Sequence, residues 1–332
     1  MPSIQPPIEV DPDETDHPST DSTSTSLASS ILQYEYRHGR RYAHASSSPS
    51  SGSIPATGGT YYFPNDQPEQ DRLDMIHHVF FRLLGDRLFL APIDLTGKRV
   101  LDIGTGTGTW ALDVGDAYPG AEAVVGVDIS PIQPAWVPPN VKFYVDDVEK
   151  SWVENTPYDF IHCRYMAGSI RDWALLVRQC FENLASGGWI EFHETENTLY
   201  SDDGSLKGDG SSYMVRMMEG LMRACDMIGQ TMDPAPRIRR WVEEAGFVNV
   251  SVERVKLPVG SWPKDARLKG CGSLMRVNFV EGVDAFTAAL FPEILGWEKE
   301  QVQALNAGVR REALDGNVHA IFDLLVVKAQ KP

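Results

Sequence analysis

Residues 100–110 read VLDIGTGTGTW. The apolar run RVLDI (99–103) has the look of a buried strand, and it ends on glycines at 104, 106 and 108. A helical run, TWALDVGDAY (109–118), begins at once and is stopped by Pro119 and Gly120. Glycines here let the backbone turn tightly and let a ligand approach the main chain. The helix N-terminus that follows offers unpaired N–H groups to an anion. The same alternation continues outward. AVVGVD (123–128), VKFYV (141–145), DFIHC (159–163) and WIEFHE (189–194) read as strands, with a helix over 173–184 closed by Gly187 and Gly188. Strands separated by helices imply right-handed βαβ units and a parallel sheet. Further along, helices are expected over 211–229 and 236–245 and in a stretch ending near 314. VNVSVERV (248–255) and HAIFDLLVVKA (319–329) read as strands. Upstream, Leu73, Ile76, Phe80 and Leu84 recur at helical spacing from about Glu69. No internal repeat is visible.

Two details choose the ligand. A dinucleotide fingerprint wants its third glycine at 109, which is Thr. Asp102 stands two residues before the first glycine, where it would repel a pyrophosphate. S-adenosylmethionine carries an ammonium and a sulfonium charge, so an acid is favourable there, and the ligand's carboxylate can use backbone donors of the loop. Asp102, Gly104, Gly106 and Gly108 are therefore the expected cofactor loop. Asp128, followed by Ile129, lies about twenty residues on, where an acid hydrogen-bonds ribose hydroxyls; its alternative is a turn or helix-capping Asp. After the third strand come Asp146 and Asp147. Asp147 with the N–H of Val148 suits the adenine edge better than Asp146; the alternative is a pair of solvated turn carboxylates.

Composition narrows the remaining classes. The 332 residues carry a formal net charge of -16, a field that repels phosphates and argues against direct nucleic-acid binding. No 18-residue apolar stretch and no signal-peptide pattern occur, so no membrane association is expected. The four cysteines stand apart, with no CxxC or Cys/His cluster, which points to no metal and to reduced thiols inside the cell. Residues 1–30 hold six acidic residues and neither Lys nor Arg, and 46–59 read SSSPSSGSIPATGG. We expect 1–59 to be a disordered tail and linker around a short aromatic-basic segment (31–45), and 60–332 to form the catalytic domain. Arg37, Arg40 and Arg41 form a basic cluster that reads either as a nuclear-import patch or, better, as an acid-paired surface.

YYFPNDQPEQDRLDMIHH (61–78), GVDISPIQPAWVPPNVKFYVDDVEKSW (126–152), FIHCRYMAGSIRDW (160–173) and GGWIEFHETE (187–196) complete a pattern. With the glycine loop, they resemble the LaeA-like family of fungal class I methyltransferases, from roughly Tyr34 to the C-terminus. The resemblance implies a Rossmann-like three-layer α/β sandwich whose seven-stranded sheet is mainly parallel with the last strand antiparallel. It also implies S-adenosyl-L-methionine as cofactor. The family's aromatic-acidic element maps to Tyr62, Asp66, Arg72 and His77 and would lid the cofactor pocket, making Tyr62 and Arg72 candidate contacts; helix packing and surface ion pairing are their alternatives. Thr105 stands where the family's founding regulators usually carry Cys. That departure favours an enzyme methylating a small molecule in secondary metabolism, in the cytoplasm. The other reading is a nuclear regulator working with protein partners. Methyl transfer to oxygen needs proton removal, and open α/β sheets bind ligands at the strand ends. His193 and Glu194, on opposite faces of the fifth strand, are the candidate catalytic residues. The methionines of 211–229 pack as core or line an adaptable acceptor pocket.

Overall fold

The computed structural model describes residues 34–43, 61–152 and 156–332. The expected disordered stretches, 1–30 and 46–59, lie outside the described residues.

The glycine turn joins β3 (Arg99–Ile103) to α2 (Thr109–Ala117), as expected. Around β3 lies a seven-stranded sheet in the order β5-β4-β3-β6-β7-β9-β8. Its members are β4 (Ala123–Asp128), β5 (Val141–Val145), β6 (Tyr158–Arg164), β7 (Leu184–Tyr200), β8 (Val248–Pro258) and β9 (Ile321–Gln330). Pairing is parallel from β5 through β7, and β9 runs antiparallel to both of its neighbours. The register sets Asp102 opposite His162 and Ile103 opposite Cys163, so the carboxyl ends of β3, β4 and β6 open at one edge.

Alternation then sorts side chains onto two faces. Leu101, Ile103, Ile161, Ile190 and Val327 pack beneath α3 (Trp173–Asn183) and α5 (Ala235–Glu244). Val100, Val124 and Phe160 face α2. Farther along that second face, Leu324 and Val326 meet α1 (Gln67–Leu83), α4 (Tyr213–Met227), α6 (Ala266–Thr287), α7 (Leu290–Glu293) and α8 (Lys299–Leu314). The result is the expected three-layer sandwich. In α4, Met214, Met217 and Met218 are buried whereas Met227 is exposed. All four cysteines are buried and unpaired, and burial raises the pKa of each thiol.

The aromatic-basic segment is more ordered than a stretch within a tail. It is a hairpin of β1 (Tyr34–Arg37) and β2 (Arg40–Ala43). His38 and Gly39 turn it with φ of 50° and 76°, the pair of positive values that a two-residue turn of matching twist requires. Its arginines are acid-paired: Arg40 with Asp66 and Arg37 with Glu293. Arg41 bonds the side chain and carbonyl of Asn65. Asp66 is also the N-cap of α1, accepting from the Glu69 N–H.

Candidate active site

Two adjoining hollows lie at the carboxyl ends of β3, β4 and β6. The outer one, of about 410 Å³, is lined by Gly104, Asp128, Ile129, Asp146, Asp147 and Val148, with Ile170 and Leu175 adding apolar wall. This volume is typical of small-molecule sites. The inner one, of about 80 Å³, is lined by Asp102, Gly104, Thr105, Gly106 and Asp128, and by Leu73, His77 and Arg164. Tyr61, Met166 and Ser169 border both.

Asp128 ends β4 where the hollows meet. Its two oxygens accept the N–H groups of Gly106 (2.9 Å) and Ser130 (2.8 Å), and burial raises its pKa. A carboxylate has capacity beyond those two bonds, as a diol ligand would need. Asp102 accepts from the Thr105 hydroxyl at 2.6 Å and pairs with His162 Nδ1 at 2.7 Å; burial pushes it up to about 6. Gly104 and Gly106 adopt φ of 65° and 58°, and a Cβ on Gly104 would meet the Met166 sulfur at 2.0 Å. In the outer hollow Asp147 accepts from the Glu149 N–H, with Ile129 and Val148 beside it. These residues fit S-adenosylmethionine: a diol acceptor at the junction, apolar walls for a flat ring outside, and acids facing positive charge inside.

Several expected residues sit elsewhere. Gly108 lines neither hollow. It is the N-cap of α2, and a Cβ there would strike the Phe143 ring at 2.4 Å, so its role is to let the helix pack on β5. Tyr62 is buried under Arg37, away from both hollows. Its neighbour Tyr61 takes the place at the junction, sharing a hydrogen bond with Ser169. Two adjacent tyrosines in an irregular segment give no periodic signal to separate them. Arg72 is held by both Glu69 oxygens (2.9 and 2.6 Å) and by Asn278 (2.8 Å), and it borders a deeper chamber rather than the two hollows.

The catalytic expectations also change. His193 is 0% exposed. Its Nε2 bonds Glu191 at 2.5 Å, its ring packs edge-on to His162, and it lines none of the hollows described here. Glu191 in turn accepts the N–H groups of Leu90 and Ala91. A base must reach its proton, so His193 is a ring in the core, tying β7 to the segment after α1. Glu194, on the other face, accepts from the N–H groups of Met166 (2.6 Å) and Ala167 (3.3 Å). Burial pushes it up to about 8. It positions the loop that carries Met166 and Ser169 and does not touch the hollows itself.

Beyond Tyr61 the space continues inward. A chamber of about 50 Å³ is lined by Tyr61, Phe63, Glu69, Arg72, Tyr165 and Met232. It adjoins another of about 30 Å³, lined by Met218, Met232, Met275, Phe279, Phe286 and Phe322. Tyr165, Asn197, Met232 and Phe286 border both chambers. Tyr165 also borders the inner hollow.

The sequence profile of the family described as Methyltransferase domain matches residues 75–252. The chain is similar to Methyltransferase pytC of Aspergillus terreus, 60% identical over 99% of this chain and 98% of that one. It is also similar to the Secondary metabolism regulator LAE1 of Cochliobolus heterostrophus, 33% identical over 82% of this chain and 91% of that one. The Protein-methionine methyltransferase laeA of Emericella nidulans is 33% identical over 82% of this chain and 73% of its own length.

Proposed function

Because the chain belongs to the LaeA-like family of fungal S-adenosylmethionine-dependent methyltransferases, we propose that its acceptor is a small molecule of secondary metabolism. The chain is a methyltransferase, and its cofactor is S-adenosylmethionine. The observation that supports a small acceptor is the pair of chambers leading inward from Tyr61. Among the described residues their walls are mostly methionine and aromatic side chains with neutral amides, and the one charged feature is the mutually paired Glu69 and Arg72. A polypeptide or nucleic-acid strand needs an open groove. Thioether walls adapt to an apolar, ring-sized guest. No helix among the described residues is long and apolar enough to cross a membrane. The acid pairing of Arg37 and Arg40 leaves little free charge for an import receptor to read.

When bound, the cofactor supplies an electrophilic methyl group on sulfur. In this reading Asp128 holds the ribose, Asp147 with Val148 meets the adenine edge, and Asp102 faces the positive end. Tyr61 and Tyr165 separate cofactor from acceptor, excluding water and fixing the line of approach. Glu69 borders the acceptor chamber, but both its oxygens are held by Arg72. Alignment rather than proton abstraction then carries the rate.

The test is incubation of the purified protein with methyl-labelled cofactor and a metabolite extract. Label is expected in a small molecule. It should disappear with Met232→Trp, which fills the chamber, while calorimetric binding of S-adenosylhomocysteine persists. Label confined to protein, or an unaffected Met232→Trp, sinks the small-acceptor reading.

A further inference from the structure

Arg164 ends β6 on the same face as Asp102 and His162, one pleat nearer the opening. It lines the inner hollow together with Asp102. Among the described residues, most guanidinium groups that are wholly or partly buried are matched to acids: Arg72 to Glu69, Arg40 to Asp66, Arg37 to Glu293. Arg164 is not. Among the described residues no carboxylate is in ion-pair contact with it. One guanidinium nitrogen, Nη2, lies 3.0 Å from His77 Nδ1, and the group packs over the Phe80 ring at 5.7 Å.

The partner it does have holds it in place. Arginine can only donate, so His77 Nδ1 accepts, and His77 Nε2 carries the hydrogen and donates to Asp113 at 2.8 Å. Residues of α1 and α2 thus aim a strand-end guanidinium into the hollow. Burial lowers its pKa to about 10, so it remains charged at neutral pH. A partly buried cation with no acid beside it is costly unless a ligand supplies the anion. The hollow therefore shows both signs, with an acid at Asp102 and a fork-shaped cation at Arg164. This is the complement of an α-amino acid zwitterion.

We propose that Arg164 is the carboxylate receptor for the amino-acid end of the cofactor, with His77 as its positioning residue. The inference rests on the methyltransferase reading and adds a residue to the cofactor loop, whose backbone donors alone had been expected to meet that carboxylate. A bidentate guanidinium–carboxylate contact is the strong form of such a bond. The inner hollow takes the amino acid, and the outer hollow takes the nucleoside.

The experiment pairs two ligands with two proteins. Calorimetry measures S-adenosylhomocysteine, which has the carboxylate, and 5′-methylthioadenosine, which lacks the amino-acid end. Arg164→Met should weaken the first by roughly ten- to hundredfold and leave the second unchanged. Arg164→Lys keeps the charge without the fork and should fall between, which also covers the case in which Arg164→Met fails to fold. His77→Gln should give a smaller loss, again confined to S-adenosylhomocysteine. Equal losses for both ligands would make Arg164 a support of the loop and overturn the proposal, as would no loss for either. If the wild-type protein binds S-adenosylhomocysteine while the variants show no ligand-selective loss, this inference fails and the methyltransferase reading stands. If the wild type binds neither ligand, both fall.

Discussion

Arg40 donates two hydrogen bonds, of 2.6 and 2.7 Å, to the carboxylate of Asp66, the residue that caps α1. The hairpin is thereby fastened to the helix whose Leu73 and His77 line the inner hollow. Arg40→Ala should lower stability by roughly 1–3 kcal/mol, the range for a charge-assisted bidentate bond. It should also weaken cofactor binding, because α1 loses its tether. A denaturation midpoint and an S-adenosylhomocysteine titration check the two effects. An unchanged midpoint would show that the hairpin is an ornament of the surface.

In the proposed reading Asp128 serves both the ligand and the loop. Asp128→Ala removes the acceptor for the ribose and for the Gly106 and Ser130 N–H groups, so cofactor affinity should fall by at least roughly tenfold. Asp128→Asn keeps one oxygen and should lose less. An undiminished affinity in a folded Asp128→Ala variant rejects the ribose role.

Glu194 predicts a pH dependence. Its carboxyl is pushed up to about 8 by burial, against about 4.3 in an unfolded chain. Between those values the folded state holds a proton that the unfolded state has released, so folding stability falls as pH rises from about 4.3 to 8. Below about 4.3 the term is fully present and constant. Asp102, raised to about 6, adds a decline of the same sign over the lower part of the window. Glu194→Gln should flatten the wild-type slope between pH 6 and 8, read as unfolding midpoints across pH. A slope identical to that of the wild type would mean that Glu194 is ionised in the fold.

His193→Ala should cost stability and spare catalysis. The change opens a cavity in the core and removes a partner of Glu191, at about 2–4 kcal/mol together. Turnover per folded molecule, measured against the denaturant midpoint of the same preparation, should not change. A fall in turnover with full stability would restore His193 as a base.

The outcome for His193 shows what a linear pattern reveals and what it hides. Alternation correctly put Glu191 and His193 on one face, and the two side chains do bond. Whether that face opens on a cavity depends on helices that arrive from elsewhere in the chain. The strands around Gly104 were legible because apolar runs and glycine turns are local signals. The hairpin was less so, although His38-Gly39 between aromatic residues is a turn signature; low-complexity sequence on the 46–59 side masked it. Arg164 closes its strand, at the end where the linear pattern already places ligand-binding residues. That no acid among the described residues reaches it is visible only in the fold.

The four buried thiols make the protein a reporter of its own opening. With each sulfhydryl buried and its pKa raised, the reactive thiolate is scarce and shielded while the fold is closed. Cys163, Cys180, Cys225 and Cys271 are distributed over β6, α3, α4 and α6, so alkylating reagents sample four separate places in the core. Mass-resolved modification of each cysteine would therefore time the loosening of the sheet and of the helices above it separately, without any introduced label.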